Sequence, residues 1–151
     1  MENFEMSSNV KLTGNVEFIL TDQDGNVKET RNIKNLVVTV GKNFIASRMA
    51  GTASAVMSHM AVGSSSTAPI TANTDLGTTL GARKALTSTT NTNNTVVYVA
   101  TFAPGEGTGA IVEAGIFNAL TAGTMLCRTT FLAVNKSSLD TLTINWTVTI
   151  N

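Results

Sequence analysis

The sequence predicts an all-β protein: an antiparallel β-sandwich with about eight strands and one short α-helix near residues 41–50. A jelly-roll arrangement of the strands is one of the alternatives that it leaves open. Three observations support this fold class. Apolar and polar residues alternate along short segments, as they do in strands with one buried face. Gly, Asn and Asp separate these segments and mark turns. Finally, the 151 residues include 25 Thr, a β-branched residue that favours extended backbone.

The last ten residues, LTINWTVTIN, show the alternation most clearly. One side of this strand is apolar and includes Ile144 and Trp146, and the other side carries only Thr and Asn. We expect Trp146 in the core rather than on a sugar-stacking platform. The uncharged polar side is expected to face a second sheet layer or another subunit, because charges there would each need a partner once desolvated.

Residues 9–39 predict a β-hairpin. Asp24 and Gly25 form its turn, since the positive φ that such a turn needs is readily adopted by Gly. The return strand carries Val27 and ends in the apolar run 36–38. The alternating apolar residues of the first strand are Val10, Leu12, Val16, Phe18 and Leu20.

The segment VGKNFIASRMAG predicts the helix. Phe44, Ile45 and Met49 are spaced to share one helical face. Thr39 is a candidate cap, and Gly51 is expected to end the helix.

The rest of the chain predicts strands joined by short connections, with one exception. Residues 63–82 form a long polar connection containing Pro69, and this length indicates a functional or partner-bound surface loop. The close spacing of the final strands is typical of an antiparallel sandwich. The predicted strands are residues 57–63, 85–90, 95–102, 110–117, 123–134 and 139–150.

Charge is scarce: 10 basic and 10 acidic residues give a net charge of zero, and 13% of the chain is charged. A nucleic-acid partner is not expected, because binding would need a basic face. So little charge gives weak protection against self-association, which favours a subunit of an assembly. The alternative is an ordinary β-protein with a Thr-rich exterior. Residues 9–151 are expected to form one domain, and residues 1–8 an N-terminal arm or tail.

Motifs that resemble catalytic or metal sites are incomplete. DQDGN spaces Asp22, Asp24 and Asn26 like calcium ligands, but it lacks the later Gly and the carboxylate at the twelfth position, where Ile33 stands. GEGTG precedes AIVEAGIF rather than a helix start, so it is expected to be a hairpin connection and not a phosphate loop. No metal or other cofactor is predicted.

The sequence also offers little material for catalysis, and we predict no enzyme and no small-molecule substrate. His59, the sole histidine, is expected to be a partly buried structural residue, and Cys127 a small buried hydrophobe. Glu106 falls in a turn. For Glu113 an exposed strand-edge position is favoured over a buried ion pair with Arg128 or Arg83.

No secretory signal or membrane span is recognised. The start, MENFEMSS, contains two acidic residues and no apolar run. No stretch reaches the roughly 20 apolar residues that a span requires. We therefore expect synthesis in a cytoplasm and no membrane partner.

Five segments resemble those of a family of small structural proteins from tailed bacteriophages and prophages. The resemblance runs from about Asp22 to the C-terminus and implies a place in the virion without catalytic residues. The segments are NLVVTVGKNFIASRMAG, MSHMAVGSSSTAP, EAGIFNA, MLCRTTF and INWTVTI.

Resemblance and composition together predict a capsid decoration or cement protein. It would be made in the bacterial cytoplasm and would bind the major capsid protein on the virion surface as a homotrimer at local threefold positions. Phe4 and Met6 of the arm are candidate partner contacts. The alternative is a tail or tail-fibre-associated attachment protein. A carbohydrate-binding module is a third class, which would need an exposed aromatic platform or paired carboxylates.

Overall fold

Two five-stranded antiparallel sheets pack face to face in the computed structural model, which describes residues 9–52 and 54–151. The predicted all-β sandwich is confirmed. Sheet A has the strand order β2-β1-β10-β7-β6, and sheet B has the order β3-β9-β8-β4-β5. The elements are β1 (Leu12–Thr21), β2 (Val27–Lys34), β3 (Leu36–Val37), α1 (Thr39–Met49), β4 (His59–Gly63), β5 (Lys84–Ala85), β6 (Ser88–Thr92), β7 (Thr95–Phe102), β8 (Gly109–Phe117), β9 (Met125–Lys136) and β10 (Thr141–Ile150).

The described strands number ten rather than about eight, because two predicted strands are each divided between the sheets. The apolar end of the first hairpin becomes β3, which pairs with β9 in sheet B. The predicted strand 85–90 becomes β5 in sheet B and β6 in sheet A. Periodicity along the chain does not indicate where a strand leaves one sheet for the other.

The core lies between the sheets and is built by the alternation seen in the sequence. Strand β10 pairs with β1 from Leu12↔Ile150 to Thr21↔Thr141, and with β7 on its other side. Trp146 is fully buried, as predicted, and its indole N–H donates to Asn35 Oδ1 over 3.1 Å. Val10 differs from the prediction: it is 73% exposed because it precedes the paired part of β1.

The DQDGN turn closes the β1–β2 hairpin, as predicted. Gly25 has a φ of +83°, and one carboxylate oxygen of Asp22 accepts the backbone N–H groups of Asp24 and Asn26, each over 2.9 Å. These hydrogen bonds, with that from Asn26 first, lower the pKa of Asp22. The carboxylate is therefore occupied by the turn itself.

Helix α1 begins at Thr39, two residues earlier than predicted. Its N-cap is Val38, so the prediction that Thr39 caps the helix is wrong. Gly51 ends the helix as predicted: it has a φ of +71°, and its N–H donates to Arg48 O, while Thr52 N–H donates to Ser47 O. Met49 is 85% exposed, so it does not share the buried side formed by Phe44 and Ile45.

Residues 64–83, here called the crossing segment, lie across the outer side of sheet B. Leu76 of this segment packs there with Val38, Ala61, Phe117 and Met125. The predicted long connection is thus anchored on sheet B by Leu76, although most of its residues are exposed. Within the described residues, no helix combines the length and the apolar composition that crossing a bilayer requires.

We predict that Gly41→Ala destabilises the fold, although Ala is the better helix former. A Cβ at Gly41 would lie 2.3 Å from Leu126 O of β9, so the helix would have to move away from the sheet. Overpacking of this kind costs about 1–3 kcal/mol. Urea unfolding should show a lower midpoint for Gly41→Ala than for the exposed control Asn43→Ala. Equal midpoints for the two variants would show that the close approach is not required.

Candidate interaction surface and the ion pair that supports the second sheet

The outward side of the three central strands of sheet A is rich in threonine, and we call it the threonine face. Alternation places these side chains opposite the core. Among the described residues of these strands, Glu17 is the only charged member of the face. The face consists of Thr13, Asn15, Glu17, Ile19 and Thr21 from β1, Thr141, Thr143, Asn145, Thr147 and Thr149 from β10, and Thr95, Val97, Val99 and Thr101 from β7.

Several polar groups of the threonine face are paired within the sheet. Asn145 Nδ2 donates to Glu17 Oε1 over 2.9 Å, and the hydroxyls of Thr101 and Thr143 are 3.4 Å apart. Because these side chains already have partners, covering them with another protein surface leaves fewer groups unsatisfied. Hydroxyls and methyl groups also cost less to desolvate than charges do.

The threonine face is not covered by any element in residues 9–52 and 54–151. Its β10 and β7 members are partly buried, as expected for side chains in the middle of a sheet. The expectation that a second sheet layer faces this side is wrong, since the second layer lies on the apolar side of β10. Coverage by another subunit stays a prediction.

Glu113 and Arg128 form a buried ion pair on the outer side of sheet B. Glu113 is 0% and Arg128 is 2% exposed, and Glu113 Oε2 accepts Arg128 Nη2 over 2.9 Å and Nε over 3.1 Å. The favoured exposed position for Glu113 is therefore wrong, and the ion pair weighed against it is present. The crossing segment buries both groups, which the sequence of β8 alone does not reveal.

The same carboxylate holds the crossing segment. Glu113 also accepts backbone N–H groups of Ser65, Gly77 and Thr78, over 3.1, 2.9 and 2.8 Å. A buried carboxylate is tolerated when its lone pairs are satisfied in this way. Glu113 therefore holds the start of the crossing segment, at Ser65, and its later part, at Gly77 and Thr78, against β8.

Arg128 binds the middle of the crossing segment. Its guanidinium donates to Thr67 O over 2.9 Å and to Asn73 Oδ1 over 3.1 Å. The sequence did not identify Asn73 as a partner of Arg128. The only indication was that Asn73 carries an amide within a long polar connection. Arg83 fixes the end of the segment: it lies 3.5 Å over the Phe117 ring and donates to Ala119 O and Ala122 O.

The GEGTG segment is a turn, but it joins β7 of sheet A to β8 of sheet B, so the prediction of a hairpin connection is wrong. Glu106 accepts Lys84 Nζ over 2.8 Å and the N–H of Ala103 over 2.9 Å, and these bonds, Lys84 first, lower the pKa of Glu106. Burial lowers the pKa of neighbouring Lys136, which donates to Ala103 O over 3.0 Å. These hydrogen bonds hold the turn between the two sheets.

The remaining candidates have structural contacts. His59 is partly buried, and its Nδ1 lies 2.7 Å from Ser58 Oγ. Cys127 is buried as predicted, and burial raises the pKa of its thiol to about 12, which makes the reactive thiolate rare at neutral pH. Among the described residues, no three His, Cys, Asp or Glu side chains are grouped to hold a metal ion. Phe4 and Met6 lie outside the described residues.

We predict that Glu113→Gln strongly destabilises the protein. The substitution keeps the shape of the side chain but leaves the buried Arg128 charge without its counter-ion, which costs about 3–5 kcal/mol. Urea unfolding measures the loss, and proteolysis within residues 64–83 should accelerate because the crossing segment loses its anchor.

The matched control is Glu106→Gln, which removes the charge of a pair whose side chains are 34% and 42% exposed. Water screens such a pair, so its loss should change the unfolding midpoint little. An equal effect of the two substitutions would contradict the importance of the buried pair.

Comparison with known proteins does not assign the chain to a family. No protein-family model matches the chain, and neither a curated protein nor a solved structure does. The threonine face and the anchored crossing segment are therefore the features from which a function is inferred.

Proposed function

We propose that the protein is a structural component of a bacteriophage virion, acting as a decoration or cement protein that binds the shell of major capsid protein. The threonine face is the observation that carries this proposal. It offers a broad, nearly uncharged surface on a sheet that a second layer supports from behind. We propose that this face adheres to the shell.

The proposed mechanism is stabilisation by mass action. A ligand that binds an assembled shell and not its separated subunits shifts the equilibrium toward the assembled state. This role needs a stable scaffold and a complementary surface, and it needs no catalytic group. The ion pair of Glu113 and Arg128 supports such a scaffold, because it fixes the crossing segment against sheet B. Assembly as a homotrimer at local threefold positions of the virion surface is part of the proposal.

A tail or tail-fibre-associated attachment protein is the second candidate function. The same neutral face would serve adhesion there, so the surface does not separate the two roles. The number of copies per particle separates them, since a decoration protein is present in proportion to the many capsid subunits and a tail component is present in few copies. Quantifying the protein in purified virions, with the major capsid protein as internal standard, tests the head assignment. A copy number matching tail proteins would contradict it.

We predict that Thr147→Lys weakens binding to the shell at least tenfold while leaving the fold intact. Thr147 lies in the middle of the threonine face, between Asn15 and Val97. A lysine there can extend into water in the free protein, but its charge must be desolvated in a covered interface. Cosedimentation with particles that lack the protein measures the affinity, and thermal unfolding checks the fold.

The matched control is Thr121→Lys, which places the same charge on the exposed connection between β8 and β9. This control should bind like the unaltered protein. Equal binding by both variants would show that the threonine face is not the surface that meets the shell.

We further predict that Phe4→Ser with Met6→Ser weakens particle binding and leaves the unfolding temperature unchanged. The reason is that these two apolar side chains are proposed to contact a neighbouring subunit rather than the core of their own domain. The control pair Asn3→Ala with Ser8→Ala alters the same segment without removing an apolar group. Unchanged occupancy of the particle would remove the arm from the proposal.

A further inference from the structure

The two sandwich sheets have four edges, and three of them are protected against pairing with another strand. In sheet B the edge strands β3 and β5 have two residues each. In sheet A the edge strand β2 carries four charges, and the Arg31 guanidinium folds back onto the carbonyls of Leu132 and Ala133. Short length and charge are the usual protections of an exposed edge.

The fourth edge, β6, has neither protection. All five of its residues, STTNT, are exposed, and residues 86–94 contain no charge and no proline. Strand β7 is its only partner in the part of the chain that the structure describes. An edge of this kind presents unpaired backbone groups to a further strand.

We propose that β6 of one chain pairs antiparallel with β6 of a second copy. Two sheets A would then continue into one another across a twofold axis. Such a contact is isologous, because both partners use the same edge. Once formed, it leaves neither β6 edge free to pair. It closes a dimer and does not propagate into a fibre.

The sequence of β6 is complementary to itself in a register centred on Thr90. In that register Thr90 faces Thr90 of the second copy, Thr89 faces Asn91, and Ser88 faces Thr92. Hydroxyl and amide side chains directly opposite one another form favourable cross-strand pairs, and no like charges meet. A net charge of zero also removes long-range repulsion between two copies.

The same pairing through β2 is disfavoured. A register centred on Arg31 would oppose two guanidinium groups, and a register centred on Thr30 would oppose Glu29 and Arg31, which already pair with one another within the chain. Like charges directly opposite each other destabilise a sheet. The contrast between the two edges of sheet A identifies β6 as the self-pairing edge and a second copy of the chain as its partner.

This inference is independent of the proposed function, because it concerns the purified chain. A twofold contact cannot by itself build a trimer, so the homotrimer proposed for the virion would use a different surface. The β6 contact would then join chains of neighbouring trimers. Its test needs no viral particle.

The test is disulfide formation by Thr90→Cys. Directly opposite residues of an antiparallel pair have Cα atoms about 4.5–5.5 Å apart, within the range that a disulfide bridges. Under mild oxidation we expect a covalent dimer of twice the 15.8 kDa chain mass on a non-reducing denaturing gel. The native Cys127 does not interfere, because it is buried.

Thr30→Cys is the matched control, since Thr30 is likewise an exposed threonine on an edge strand of sheet A. It should give only the small amount of dimer that random collisions produce. Thr89→Cys tests the register: alone it should crosslink poorly, but mixed with Asn91→Cys it should crosslink well. Folding of each variant is checked by circular dichroism.

Three outcomes would count against the proposal. If Thr90→Cys crosslinks no more than Thr30→Cys, β6 does not pair with itself. If Thr89→Cys alone crosslinks better than Thr90→Cys, the proposed register is wrong. The solution mass of the unoxidised protein provides a test without cysteine chemistry. Thr90→Lys should lower this mass, whereas Thr30→Lys should not. Equal masses for the two variants would also count against the contact.

Discussion

The alternation of β10, held in register between β1 and β7, is the constraint on which the rest of the structure depends. One side of this strand places Ile144 and Trp146 in the core, and the other supplies the centre of the threonine face. A shift by one residue would exchange the two sides, exposing the indole and burying hydroxyls without partners. The apolar core and the neutral exterior are therefore two consequences of one register. The uncharged side of such a strand suits either environment, because Thr tolerates water in the free protein and a covered surface in an assembly.

Sheet B differs from sheet A, because part of its outer side is covered as well. Its inner side packs on sheet A, while its outer side carries Glu113 and Arg128 beneath the crossing segment. A buried ion pair contributes little net stability compared with apolar packing, but removal of one partner is costly. Here the pair also satisfies backbone groups of a segment that has almost no regular structure of its own. It acts as an anchor that selects one path for residues 64–83, and its importance lies in that specificity.

Several of the few charges lie inside the molecule or form hydrogen bonds that hold turns. Asp140 is an example: it is 2% exposed and accepts Lys28 Nζ and Ser137 N–H, each over 2.8 Å, and these bonds, that of Lys28 first, lower its pKa. Stability from this carboxylate is present above its unfolded pKa and is lost as the pH falls through the lowered folded value. Apart from Glu17, the threonine face carries no charge, and neither does the β6 edge. Both surfaces are suited to contact with protein for the same reason.

The sequence by itself determined the strands, the first hairpin turn, the helix end at Gly51 and the burial of Trp146 and Cys127, because each depends on local periodicity or on backbone preference. Only the tertiary structure decided the division of the strands between two sheets, the burial of Glu113 and the path of the crossing segment. These depend on groups far apart in the chain: Glu113 meets Arg128 fifteen residues away and Ser65 forty-eight residues away. Local pattern shows which side of a strand is apolar. It cannot show what covers the other side, because coverage is a property of packed elements.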